Sequence, residues 1–226
     1  IVKENGSVFH VDGVQAAGKL PLDLKSSTID LFSLSGHKLH APKGVGALYV
    51  RKGTKIRPLI VGGHQERGRR AGTENVASLA GMGVACDLAA ANIDKENSAV
   101  RDLRDRLEAG LLAAIPDTQA NGDADCRLPN TTNISFKYIE GEGILLLLDR
   151  VGVAASSGSA CTSGSLEPSH VLRAMGLPFT LTHGSIRFSL SRYNTRDVVE
   201  YEISALPPII ERLWLITPFN EQGATF

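Results

Sequence analysis

Short β-rich runs punctuated by glycine and proline, followed by long stretches of helical periodicity, confine this chain to an alternating α/β architecture. Residues 8–12, 29–34 and 46–50 read as strands. Gly13, Gly18, Pro21, Gly36, Pro42 and Gly44 mark the turns between them. Residues 62–72 are a loop dense in glycine and arginine. Val76, Leu79, Ala80, Gly83, Val84 and Leu88 then fall on one face of an expected helix. Thr73 is placed to cap that helix, and Glu74 suits its dipole. A second helix carries Val100, Leu103, Leu107, Leu111 and Ile115 and stops at Pro116. The break at residues 92–95 predicts a domain boundary.

The second half reads as a smaller α+β unit. Residues 132–136 and 185–190 suit strands, and residues 143–150 a buried helix. The serine- and glycine-rich segment 156–165 lacks apolar periodicity and reads as a mobile loop around Cys161. Pro168 fits the first position of a short helix closed by Gly176. A helical stretch from Thr195 is expected to break at Pro207 and Pro208, and residues 217–226 to fray.

Bulk properties exclude several classes. Lys+Arg and Asp+Glu both number 24, so net charge lends no support to a nucleic-acid surface. The longest apolar run, residues 144–148, is far short of the roughly 20 residues of a membrane span. No leader is visible. Three cysteines, Cys86, Cys126 and Cys161, form no C-x-x-C pair, and a reducing cytoplasm is the expected compartment. The six histidines show no metal-ligand spacing.

A few residues carry possible chemistry. Lys38 follows an apolar strand in a glycine-rich segment. It can be a Schiff-base lysine, if neighbours lower its pKa, or a solvated loop lysine. Asp12, at a strand end, can pair with a protonated ring nitrogen such as that of pyridoxal phosphate, or be a turn residue. Ser35, His37 and Thr73 are candidate phosphate ligands, each weak alone. Arg187, on an apolar strand, suits either a substrate carboxylate or a structural ion pair. Cys161, flanked by serine and glycine, is a candidate travelling nucleophile. Cys86 reads as a core thiol and Cys126 as incidental.

Five motifs, in order, carry a resemblance: His10-Val-Asp-Gly-Val-Gln-Ala16, Ser35-Gly-His-Lys-Leu-His-Ala-Pro-Lys-Gly44, Arg70-Ala-Gly-Thr-Glu-Asn75, Ser157-Gly-Ser-Ala-Cys-Thr-Ser163 and Ser185-Ile-Arg-Phe-Ser189. Together they resemble the NifS-type cysteine desulfurases, class V aminotransferase relatives among the fold-type I pyridoxal-phosphate enzymes. The resemblance runs from His10 to about Leu215. It implies the C-terminal part of that fold: residues 1–92 as part of the large mixed α/β cofactor domain, residues 93–216 as a small α+β domain with the cysteine loop, and 217–226 as a tail.

The resemblance also implies roles. Lys38 would bind pyridoxal 5'-phosphate covalently and shuttle protons. Asp12 would pair with the pyridine nitrogen and Gln15 with the ring hydroxyl. Ser35 and His37 would hold the phosphate, with Thr73 reaching that of a neighbouring subunit in a homodimer. Arg187 would hold the carboxylate of L-cysteine. Cys161 would attack the substrate sulfur, leaving alanine and a persulfide for delivery to an iron–sulfur scaffold protein, in nitrogenase maturation or in general cluster assembly. His64 departs from the family, whose loop commonly has a third glycine there.

The family normally has about as much chain again before residue 1. The pocket is therefore expected to need an N-terminal half, in the same chain or a separate one. Two other readings stand beside the desulfurase: a selenocysteine lyase, and a non-catalytic C-terminal module serving only as a partner or dimerisation piece.

Overall fold

A computed structural model describes residues 1–157 and 169–217, together with the backbone of 219–220 and 223–224. The chain divides into two compact units, Ile1–Asp94 and Lys95–Phe226.

The first unit is built on a three-stranded sheet in the order β1 (His10–Asp12), β2 (Leu31–Ser35), β3 (Gly46–Val50). β1 and β2 are parallel, with Asp12 opposite Ser33. β2 and β3 are antiparallel, with Ser35 opposite Gly46. β1 starts later than its apolar pattern suggests. The Phe9 N–H donates to the Asp30 carboxylate at 2.8 Å, not to a strand partner. A 3-10 helix, Gly36–Leu39, leads out of β2 and ends on His40 at φ 68°. Its first position leaves little room for a side chain. The Gly36 N–H donates to the Val45 carbonyl at 2.9 Å, and a β-carbon there would lie 2.9 Å from Val45 Cγ1.

The arginine-rich loop holds a four-residue helical turn, α1 (Gln65–Gly68), with Glu66 and Arg67 in the left-handed region. Helix α2 (Val76–Ala91) follows and corrects one expectation, that Thr73 caps it. Its cap is Asn75, whose side chain accepts from the Ser78 N–H at 3.2 Å; Thr73 lies outside the helix. Its buried face is Met82, Ala85 and Ala89, whereas Val76, Leu79, Val84 and Leu88 are exposed. Small side chains decide this: Ala85 and Ala89 pack with Ala17, Phe32 and Leu39, and a β-carbon on Gly81 would already touch Pro42 at 3.1 Å.

α3 (Ile93–Asn97) precedes the second unit's long helix α4 (Ala99–Ala114), which buries Val100, Leu107 and Leu111 as its periodicity predicts. The second sheet is fully antiparallel, β4 (Thr118–Asn121), β5 (Thr131–Phe136), β6 (Ser185–Ser189). β4 is invisible to hydrophobic patterning. Its buried member, Asn121, donates to Asn133 at 2.6 Å and to Ser135 at 2.7 Å instead of packing apolar surface. Helix α5 (Gly141–Arg150) is amphipathic and not wholly buried: Ile144 and Leu148 face the core and Leu146 is exposed.

Two short helices follow, α6 (His170–Ala174) and α7 (Phe179–Thr182). α6 is preceded by Ser169, and Pro168 lies outside the described residues. Helix α8 (Arg196–Trp214) continues through Pro207 and Pro208, against expectation. Leu206, Ile209 and Ile210 on either side of the prolines are buried in the core. That burial, about 1.5–3 kcal/mol per side chain, offsets a proline penalty of roughly 3 kcal/mol. α4 and α8 meet where Gly110 allows it, since a β-carbon there would lie 2.4 Å from Ile203 Cδ1. Near the C-terminus the backbone pairs as β7 (Phe219–Asn220) and β8 (Gly223–Ala224), where fraying was expected. Among the described residues no single helix is long and apolar enough to cross a membrane.

Candidate active site

The site in the first unit forms at the C-terminal ends of two parallel strands. Asp12 ends β1 and Ser35 ends β2, so both chains leave the sheet at the same edge. Open α/β sheets bind ligands outside the carboxyl ends of their strands. Asp12 is exposed there, and its Oδ1 accepts from the Val14 N–H at 3.1 Å, which fixes the turn carrying the exposed Gln15. Two residues back along β1, His10 Nε2 lies 2.8 Å from Ser33 Oγ.

The second arm is the 3-10 helix. Ser35 Oγ and His37 Nδ1 are 2.7 Å apart, so hydroxyl and imidazole act as one polar pair. Lys38 follows, half-buried. The Lys19 ammonium donates to the Lys38 carbonyl at 3.3 Å. The sequence reading missed Lys19, because it sits in a turn segment with no motif around it. Buried Leu39 anchors the short helix against Ala85 and Ala89 of α2. Thr73 lies in the exposed segment before Asn75, and among the described residues no hydrogen bond joins it to Ser35 or His37.

Arg187 belongs to the second unit. It is the half-buried middle residue of β6, opposite Asn133 and bridged to Ser156 through paired backbone bonds of 2.6 and 3.2 Å. Cys161 lies outside the described residues. The geometry therefore brings Asp12, Ser35, His37 and Lys38 to one sheet edge. Arg187 stands on the other unit's sheet.

The donor set suits a phosphorylated aldehyde with a basic ring. It offers a hydroxyl–imidazole pair for the anion, a primary amine for the carbonyl, and a carboxylate for a protonated ring nitrogen.

The chain belongs to the aminotransferase class-V family, which matches residues 1–201. Within that family it is similar to the cysteine desulfurase of Trichormus azollae, 62% identical over 223 residues, covering 99% of this chain and 56% of the relative. It is 60% identical over 219 residues to the cysteine desulfurase NifS of Azotobacter vinelandii, covering 97% of this chain and 54% of that protein. The solved structure of a NifS-like protein from Rickettsia africae superposes with a TM-score of 0.84 at 34% identity, over 93% of this chain and 55% of the other. The chain thus has a fold-type I architecture and spans about half the length of the curated relatives it matches.

Proposed function

We propose that this chain is the C-terminal part of a pyridoxal-phosphate-dependent cysteine desulfurase. The observation that carries the reading is the shared sheet edge, where Asp12 ends one strand and the Ser35–His37–Lys38 turn leaves its parallel neighbour. The similarity to cysteine desulfurases supports the choice of substrate.

Pyridoxal phosphate, when bound, supplies an electron sink for the substrate carbanion. Ser35 and His37 would hold its phosphate, with Thr73 from the neighbouring subunit of a homodimer. Asp12 would pair with the ring nitrogen and Gln15 with the ring hydroxyl. Lys38 Nζ would be the amine that takes the aldehyde and the group that moves protons to and from the substrate carbons. Arg187 binds the L-cysteine carboxylate. The Cys161 thiolate donates an electron pair to the substrate sulfur. The Cβ–S bond breaks, its electron pair stays on carbon, and that carbon takes a proton. The products are L-alanine and a Cys161 persulfide, which passes to an iron–sulfur scaffold protein in the cytoplasm.

The test is borohydride reduction of the purified, cofactor-loaded protein followed by peptide mapping. A pyridoxyl label on Lys38 is the expected result. Labelling elsewhere, or none, overturns the assignment and leaves a non-catalytic module. With Cys161→Ala the Lys38 label should persist while sulfide release from cysteine disappears; retained release would assign the thiol role to another group.

A further inference from the structure

A second site lies in the Lys95–Phe226 unit, remote in sequence from the Lys38 motif. Helix α8 buries Val199, Glu202, Leu206, Ile209 and Ile210. The spacing is that of a core-facing stripe, and Glu202 takes a place that the pattern assigns to an apolar residue. Glu202 is only 8% exposed, and among the described residues no hydrogen bond or ion pair holds its carboxyl. A charge this buried is normally paired, and this one opens onto a cavity instead.

The carboxyl lines a cavity of about 490 Å³ between the first turns of α8, the end of β6 and residues 152–154. That volume falls within the roughly 300–1,000 Å³ of small-molecule sites. Val153, Phe188, Leu190 and Val198 give the cavity apolar walls. Of the other polar residues on its lining, Ser189 is exposed at the end of β6. Asn194 Oδ1 accepts from the Ser191 N–H at 2.8 Å, the Tyr201 hydroxyl donates to the Val151 carbonyl at 2.9 Å, and Asp197 is exposed at the rim.

We propose that this cavity binds a small organic cation, an amine or guanidinium on a short apolar stem, with Glu202 as its counter-ion. The apolar walls take the stem, and the two free carboxylate oxygens match the paired N–H groups of a guanidinium. Asp197 adds a second negative charge at the entrance, and among the described residues no lysine or arginine lines the cavity to compete. Burial alone raises the Glu202 carboxyl to about 7, so the empty site is half-protonated near neutrality. A bound cation restores the charged form. Asp197 and Tyr201 are the other titratable groups on the lining.

The test is calorimetric titration of the purified protein with n-butylguanidinium, with n-butylurea as the neutral isostere. Saturable binding of the cation alone is expected. It should weaken about tenfold or more in Glu202→Gln. Ionisation of a group near 7 should strengthen binding about tenfold between about pH 6 and about pH 8. Equal binding of n-butylurea, equal affinity in Glu202→Gln, or no saturable binding at the higher pH would each overturn the proposal. The unmutated protein gives a check that needs no variant. The carboxyl carbon resonance of Glu202 should titrate at lower pH with n-butylguanidinium present, and an unmoved midpoint counts against the site.

Discussion

Gly13 lies against the ring of Phe32, so closely that a β-carbon at Gly13 would sit 1.8 Å from Phe32 Cζ. Phe32 is buried in the middle of β2, opposite Val11, and Gly13 follows Asp12 directly. The ring of one strand thus occupies the space that any larger residue would need at the end of the other. Gly13→Ala should destabilise the first unit by about 1–3 kcal/mol through overpacking. It should also displace the Asp12 turn and weaken pyridoxal-phosphate uptake. Thermal denaturation and cofactor absorbance measure the two effects; an unchanged melting temperature would remove this contact from the argument.

Asn75 and Thr73 separate capping from binding. Asn75→Ala removes the side-chain acceptor for the Ser78 N–H and should cost about 1 kcal/mol of stability. Thr73→Ala should leave stability within about 0.5 kcal/mol, as a surface change away from any cap does. On the proposed role it should instead weaken cofactor retention. Paired denaturation and dialysis experiments check both halves.

Glu108 on α4 is held by Arg127 through a bidentate pair of 2.6 and 2.8 Å and also accepts from the Thr132 hydroxyl. The Arg127 hydrogen bonds, with that of Thr132 behind them, keep the Glu108 carboxyl below its usual range despite burial. A lowered folded-state value gives stability that is present above the unfolded value near 4.5 and is lost as pH falls below it. Arg127→Met should cost about 2 kcal/mol at neutral pH. Its stability should then fall less steeply in acid than that of the parent. Urea denaturation across the acid range is the measurement.

Glu202 has the opposite sign. Its folded-state value of about 7 exceeds the unfolded 4.5, so the folded state binds the proton more tightly. Stability from this group is full below about 4.5, declines between 4.5 and 7, and is gone above it. Without a cation present, Glu202→Leu should match the parent near pH 4 and exceed it by about 3 kcal/mol near pH 8. Equal stability of the two proteins at both pH values would sink the assignment.

The cofactor motif was legible because its residues are contiguous. Ser35, His37 and Lys38 fall within one turn, and their meeting needs only that turn to form. The pairing of Asp12 with that edge was legible as a strand-end carboxylate, but its register against Ser33 needed the parallel sheet. Lys19 was not legible, since its contact with the Lys38 carbonyl depends on a chain reversal without a motif. Glu202 was within reach of the sequence. It breaks the apolar series Val199, Leu206, Ile209, but the same stretch holds two prolines, which drew attention to a break that does not occur.

The sequence by itself determined the elements whose signals are local: the α4 stripe of Val100, Leu107 and Leu111, its stop before Pro116, and the strand Gly46–Val50. It also placed Ser35, His37 and Lys38 in one turn, on which the proposed cofactor chemistry rests. Tertiary structure alone decided which face of α2 is buried. Alanines 85 and 89 let the helix approach the Leu39 turn closely and pack with Ala17, Phe32 and Leu39. It also decided that α8 continues past Pro207 and Pro208, because side chains on either side of them, Leu206, Ile209 and Ile210, are buried in the core.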